Sequence, residues 1–336
     1  MSVRKTGTGS RSRPGAQPGI GREKVTEIQR ARILAAMTEV AAERGAANVT
    51  VAHVVACSGV SRRTFYELFA DREACFLAAF EDATARIAAR VLPAYERQGR
   101  WQERVRAGLA ALLDFLDEEP EAGRLCVVET LAAGPPALER RARMLEAVGQ
   151  ALDAGRDATR AAKPAPMTAE GAIGSVAAVL HARLAQPAGQ GGSGAHELPP
   201  GGFAELLNPL MGMIVLPYLG TAAAARELAR PPLARAERPR APAGDPLREL
   251  DMRLTYRTVR VLLAIARTPG ASNRRLAEAA GVQDQGQISK LLSRLRTLGL
   301  IENTGPGPVK GEPNAWRLTA KGQRVWQAIE RQTQAD

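Results

Sequence analysis

Aromatic residues are scarce in this chain of 336 residues, at 4%, while hydrophobic residues reach 45%. A core can therefore form, but from Ala, Leu and Val. That supply favours helices and argues against a sheet-rich fold, which draws on aromatic and β-branched side chains. Cysteine is almost as rare. Cys57, Cys75 and Cys126 are odd in number and far apart, so neither a disulfide framework nor a zinc site is indicated. A reducing, cytoplasmic compartment suits them. Three histidines complete the poverty in ligating groups. His53 and Cys57 lie one helical turn apart with no third ligand nearby, and His181 and His196 stand alone. No nucleophile–base pair, metal cluster or cofactor motif emerges, which excludes the ordinary enzyme classes and leaves the metal and cofactor sets empty. The run Gly189–Gly194 (GQGGSG) lacks the Lys-Ser/Thr and the preceding strand that a phosphate cradle needs. The first 20 residues have no apolar stretch of the kind a signal peptide carries. Long hydrophobic runs are nearly absent as well. Leu206–Ala225 is uncharged over 20 residues, but Asn208, Pro209, Gly212, Pro217 and Gly220 interrupt it. Its strongly apolar part is only Leu210–Leu216, so a buried helix fits better than a membrane span.

Acidic residues are short at both ends. Residues 1–70 hold 11 Lys and Arg against 5 Asp and Glu, and residues 249–336 hold 14 against 8, so each end carries +6. The stretch between is −1 and the whole chain +11. Basic ends suit contact with a polyanion, whose condensed counterions Lys and Arg displace. The length suits two or three units.

Residues 1–23 read as a disordered basic arm. Arg4, Lys5, Arg11, Arg13 and Arg22, with Lys24 directly after them, would let it enter a minor groove or serve as a charged tail. Residues 24–75 read as a helix-turn-helix. A first helix over Lys24–Arg44 puts Ile33, Leu34, Met37, Val40 and Ala41 on one face and stops at Gly45. Thr50 caps a second helix, Val51–Cys57. Ser58-Gly59-Val60 turns the chain, Ser61 caps a third helix to about Phe69, and Asp71 caps a fourth to about Arg90. Val51, Val54 and Val55 should pack inward with Phe65. Ser61, Arg62, Arg63, Thr64 and Tyr66 should face the groove, where Arg is the usual reader of guanine.

The order small residue-Gly-Val-Ser, Thr-Phe-Tyr and Phe-x-Asp-Arg-Glu within Thr50–Glu73 resembles the TetR family of bacterial regulators, over roughly residues 24–80. The resemblance implies an all-helical homodimer that binds a palindromic operator in double-stranded DNA and responds to a small-molecule effector. It implies that Arg62, Arg63 and Thr64 face bases, and that Thr50, Tyr66 and Arg72 hold phosphates. Leu68 stands where many members carry His.

Residues 76–229 read as a helical ligand-binding and dimerisation domain, broken at Pro120, Gly134-Pro135-Pro136 and Lys163–Pro166. Trp101, Phe115, Leu116 and Leu125 fit a core better than a cavity. Asn208–Gly220 is apolar nearly all round and must be buried. The resemblance gives it the dimer interface, through Leu210, Met211, Met213, Ile214, Leu216 and Tyr218, with residues 167–186 as a partner helix.

Residues 230–246 form a Pro/Arg-rich linker. Residues 247–333 then show helices at Thr255–Arg267, Asn273–Ala280 and Gln285–Leu298, strands at Leu300–Glu302 and Ala315–Leu318 around a Gly/Pro-rich tip, and a last helix after Thr319. Gln-Ile-Ser-Lys-Leu-Leu-x-Arg-Leu, Gly-Leu-Ile-Glu-Asn and Leu-Thr-x-Lys-Gly resemble the winged-helix domains of MarR-type regulators. Gln285, Gln287, Ser289, Lys290 and Arg294, with Lys310 on the wing, would then meet DNA. A protein-docking unit is the other reading of the same fold. The expected fold is thus mainly α: a TetR-type helix-turn-helix with its helical domain, then a winged helix with a two-strand wing. The expected function is a homodimeric transcriptional regulator, a ligand-responsive repressor, with no enzymatic activity. A DNA-bridging architectural protein is the rival.

Overall fold

The computed structural model describes residues 22–97, 99–157, 164–185, 202–231, 256–282, 284–305 and 314–334. The arm before Arg22, the Gly189–Gly194 run, residues 232–246 of the linker and Lys310 lie outside the described residues. The chain divides into two units. One holds Gln29–Arg253, the other Met1–Ile28 with Leu254–Asp336.

The larger unit is helical throughout its described residues. Helix α1 (Arg22–Arg44), which begins in the other unit, ends at Gly45, whose φ of 80° is open to glycine. A 3₁₀ turn at Ala46–Asn48 leads to α2 (Val51–Ser58), α3 (Arg62–Leu68) and α4 (Arg72–Glu96). Helix α4 runs six residues beyond the expected end at Arg90. It carries Pro93 inside its last turn and packs along α5 (Trp101–Glu118), where Gly108 lets Val91 and Tyr95 approach. The expected boundary at 75/76 therefore falls within one continuous helix. Helices α6 (Pro120–Val127) and α7 (Pro135–Asp153) each begin with a proline, which has no N–H to leave unpaired at that position. A 3₁₀ turn at Glu129–Ala132 separates them.

Helix α8 (Thr168–Leu184) follows, then a 3₁₀ turn at Gly202–Leu206, α9 (Leu207–Leu219) and α10 (Thr221–Leu228). Gly220, at φ 79°, breaks the last two. One cluster of buried side chains runs from Ile33 to Ala223, and Trp101, Phe115, Leu116 and Leu125 lie inside it. They fill the core. Gly202–Leu219 is long and apolar enough to cross a membrane by length and composition, and half of it is buried inside the protein. Cys75 and Cys126 are also buried, and burial pushes each thiol up to about 12.

A polar network pins α10 to α5 and α9. The Arg106 guanidinium, itself buried, donates to the Glu227 carboxylate at 2.5 Å and to Asn208 Oδ1 at 2.5 Å. Gln102 donates to the same carboxylate. Asn208 donates to the Arg230 carbonyl at 2.7 Å, and Arg230 pairs with Glu103 at 2.6 Å. The hydrogen bond from Arg230 holds the Glu103 carboxyl below its ordinary range, against a smaller opposing effect of burial.

The smaller unit has helices α11 (Tyr256–Arg267), α12 (Asn273–Ala280) and α13 (Gln285–Thr297), strands β1 (Ile301–Asn303) and β2 (Trp316–Leu318), and α14 (Ala320–Gln334). The strands are antiparallel, with Ile301 opposite Leu318 and Asn303 opposite Trp316. Val261, Leu262, Ile265, Leu276, Ile288, Leu292 and Leu295 are buried. Leu291, beside Leu292 on α13, is half-buried. Three asparagines tie the ribbon's base to α12. Trp316 Nε1 donates to Asn273 Oδ1 at 2.6 Å, Asn303 donates to Asn314 at 2.8 Å, and Asn303 Oδ1 accepts from Ala315 N at 2.9 Å.

Candidate nucleic-acid interface

The pair α2–α3 is built by its caps. Thr50 accepts from His53 N at 3.2 Å, Ser61 from Thr64 N at 3.1 Å, and the Asp71 carboxylate from Ala74 N at 2.8 Å. Each satisfies an N–H that its helix cannot. Between the first two, Gly59 sits at φ 64°, ψ 14° and closes α2 with a bond to the Val55 carbonyl. Arg32 of α1 donates to the Ser58 carbonyl at 2.9 Å, placing a cation at the negative end of α2.

Helix α3 has a clear inside and outside. Phe65 is fully buried and stacks near Phe69, with ring centroids 5.7 Å apart. Tyr66, 48% exposed, meets Phe65 edge-on at 5.4 Å. Arg62 lies over the Tyr66 ring at 5.8 Å. Arg63 extends into solvent and pairs with Glu67, one turn on, at 2.9 Å. The outer face is therefore Arg62, Arg63, Tyr66 and Glu67. Ser61 and Thr64, also expected there, are half-buried, and their hydroxyls bond each other at 2.9 Å.

Arg72 does not point outward alone. Its Nη1 donates to the Ala46 carbonyl at 2.8 Å. Glu129, buried between α6 and α7, accepts from the amide of the same residue at 2.8 Å and from Arg124 Nε at 3.0 Å. The α1–α2 turn is thus gripped from α4 on one side and from the helical body on the other. Glu129→Ala should leave the Ala46 amide and Arg124 without that acceptor, at a cost of about 1–3 kcal/mol. Urea unfolding would read it as a lower midpoint at unchanged slope. Glu129→Gln, which keeps an acceptor oxygen, should lose less.

In the smaller unit, Gln285, Gln287, Ser289, Lys290 and Arg294 all lie exposed on α13. Asp284 caps that helix, accepting from Gly286 N at 2.7 Å. Gln287, Lys290 and Arg294 fall on one stripe by helical spacing.

The six residues expected at a dimer interface divide. Leu210, Met211, Ile214 and Tyr218 lie in the core of the chain itself, and Tyr218 packs on Trp101 at 4.9 Å. Met213 and Leu216 are exposed on α9. His53 and Cys57 stay one turn apart on α2, and the Cys57 thiol donates to Glu39 of α1 at 2.9 Å. Among the described residues no group of three His, Cys, Asp or Glu could hold a metal ion. Sequence reasoning missed Glu67, Arg32 and Glu129. Four-residue spacing from Arg63 marks Glu67 in the sequence, whereas nothing local marks Glu129, 83 residues from Ala46.

Residues 33–79 match the family model described as bacterial regulatory proteins, tetR family. No curated protein matches the chain in sequence. Three similar solved structures illustrate the likeness. The fatty acid degradation regulator FadR from Bacillus halodurans is 14% identical, with 55% of this chain and 94% of that chain covered and a TM-score of 0.47. The transcriptional regulator FadR from Bacillus subtilis, in complex with stearoyl-CoA, is 14% identical over 55% and 97%, with a TM-score of 0.47. A TetR family transcription regulator from Marinobacter aquaeolei is 22% identical over 57% and 96%, with a TM-score of 0.42.

Proposed function

We propose that the chain is a homodimeric transcriptional regulator that binds a palindromic operator through α2–α3 and releases it on binding a small apolar or amphipathic effector, and so acts as a repressor. One observation carries the reading. A capped helix pair, closed at a left-handed glycine, presents Arg62, Arg63 and Tyr66 outward from α3 within the segment that matches the family model. Two copies related by a two-fold axis would read half-sites about 34–36 Å apart or a multiple of that. Met213 and Leu216 are the exposed large apolar side chains of α9, open to a second copy.

The decisive experiment is selection of bound duplexes from a random pool by the purified chain, with a palindrome as the expected result. Arg62→Ala and Arg63→Ala should each lose about 1–3 kcal/mol on the selected sequence and relax preference at one position. Equal losses on selected and random DNA would remove the base-reading role. An effector should change operator affinity by about 1–3 kcal/mol of coupling. An effector screen with neither a thermal shift nor a change in operator affinity would remove that part.

The smaller unit takes its place in this reading as a winged helix that adds a second DNA contact through α13. Its exposed Lys290 and Arg294, and the basic balance of residues 249–336, support that role. Two heads on one chain also suit an architectural protein that bridges sites. Looped complexes would favour bridging, and single-site footprints the regulator.

A further inference from the structure

We propose that Glu67 determines the specificity of the α3 reading head: its carboxylate holds Arg63 in reading position, accepts a hydrogen bond from a cytosine amino group, and discourages binding through phosphates alone. The proposal rests on the reading of α3 as the DNA-reading helix.

Glu67 is the one acid among Arg62–Leu68. It stands on the outer face beside Arg62, Arg63 and Tyr66, where a carboxylate meeting a polyanion costs binding energy. Its pair with Arg63 at 2.9 Å offers little stability in exchange, because the two side chains are 89% and 54% exposed. Exposed pairs at this spacing add little to the stability of a helix. The acid is therefore poorly explained by the free protein and better explained by the bound one.

The geometry of a base reader is present. Four residues advance about 6 Å along a helix axis, somewhat less than two base-pair steps of about 3.4 Å. Arg63 and Glu67 on one helical stripe can then address base pairs one or two steps apart. In the major groove guanine offers two acceptors to an arginine fork, and cytosine offers an amino donor to a carboxylate. On a wrong sequence the carboxylate finds no donor and still faces the phosphates. Discrimination of this kind comes from repulsion as much as from attraction.

The test compares the full chain with Glu67→Gln and Glu67→Asp, on the duplex that the native chain selects and on a random duplex of equal length. Glu67→Gln should bind random DNA several-fold more tightly and the selected duplex less tightly. The ratio of the two should fall about tenfold. A fresh selection with this variant should broaden at the cytosine that Glu67 reads, within two steps of the position that Arg63→Ala relaxes. Glu67→Asp keeps the charge on a shorter stem, so it should keep the weak binding to random DNA while losing the base preference. Thermal midpoints should match the native chain, so that a changed binding ratio reports recognition rather than loss of folded protein. If the native chain selects a sequence and Glu67→Gln selects the same one at the same ratio, the role of Glu67 is overturned and the DNA reading stands. If the native chain selects no sequence, both fall.

Discussion

Replacing Arg106 by alanine should destabilise the larger unit by about 3 kcal/mol. Removing one partner of a buried ion pair typically costs about 3–5 kcal/mol, because a charge is left in the interior without compensation. Here the Arg106 and Glu227 side chains are 8% and 0% exposed. The lower end applies because Arg230 stands 3.3 Å from the Glu227 carboxylate and Gln102 also donates to it. Asn208 loses its donor as well. Urea or thermal unfolding would measure the loss as a shifted midpoint. Arg106→Met with Glu227→Met together should recover a large part of it, since apolar pairs of similar volume often replace buried ions at little cost. A double variant no more stable than Arg106→Ala would show that packing around α10, rather than the stranded charge, sets the effect. Acid should loosen the same corner in a second way. Glu103 is held below its ordinary range by Arg230, so its contribution is present above that range and lost as pH falls through the lowered value. Glu103→Gln should flatten that part of the acid limb, modestly, because the pair is partly exposed.

The second large effect is expected on DNA. Lys290→Glu with Arg294→Glu should lower the salt slope of log affinity for the selected operator by about 1.8, at about 0.9 for each phosphate no longer neutralised. Between 50 and 200 mM salt the native chain would then lose about tenfold more affinity than the variant. Both positions are exposed on α13, so the fold of the smaller unit should survive, and circular dichroism would check that. Filter-binding titrations at four or five salt concentrations give the slope directly. An unchanged slope, with an unchanged footprint, would make this unit a docking module for protein.

How legible these features are depends on the range of the interaction that makes them. Helices α2 and α3 fall within a residue of where Thr50, Gly59 and Ser61 place them, because caps and left-handed turns are local chemistry. Helix α12 is read to the residue for the same reason: Ser272 accepts from Arg275 N and Gly281 sits at φ 65°. The end of α4 is less legible. Its expected end is near Arg90, but α4 packs along α5 and runs on through Pro93 to Glu96. The direction of the outer face of α9 is hidden by composition. A helix apolar all round gives no periodicity to tell Met213 and Leu216 from Leu210 and Met211. The grips that set the reading head on its body are not legible at all. Glu129 meets Ala46 across 83 residues and Arg106 meets Glu227 across 121, and neither spacing belongs to any local motif.

The two sealed thiols make the chain its own reporter of opening. A thiolate is the species that alkylating reagents attack, and a thiol pushed up to about 12 supplies almost none at neutral pH. Cys75 of α4 and Cys126 of α6 should therefore resist maleimide while the core is closed, and Cys57, half-buried on α2, should react first. The later two additions, counted by mass, would time the moments at which α4 and α6 part from their neighbours. Effector or operator added to the reaction would lengthen or shorten that time, so conformational coupling could be followed without any engineered label.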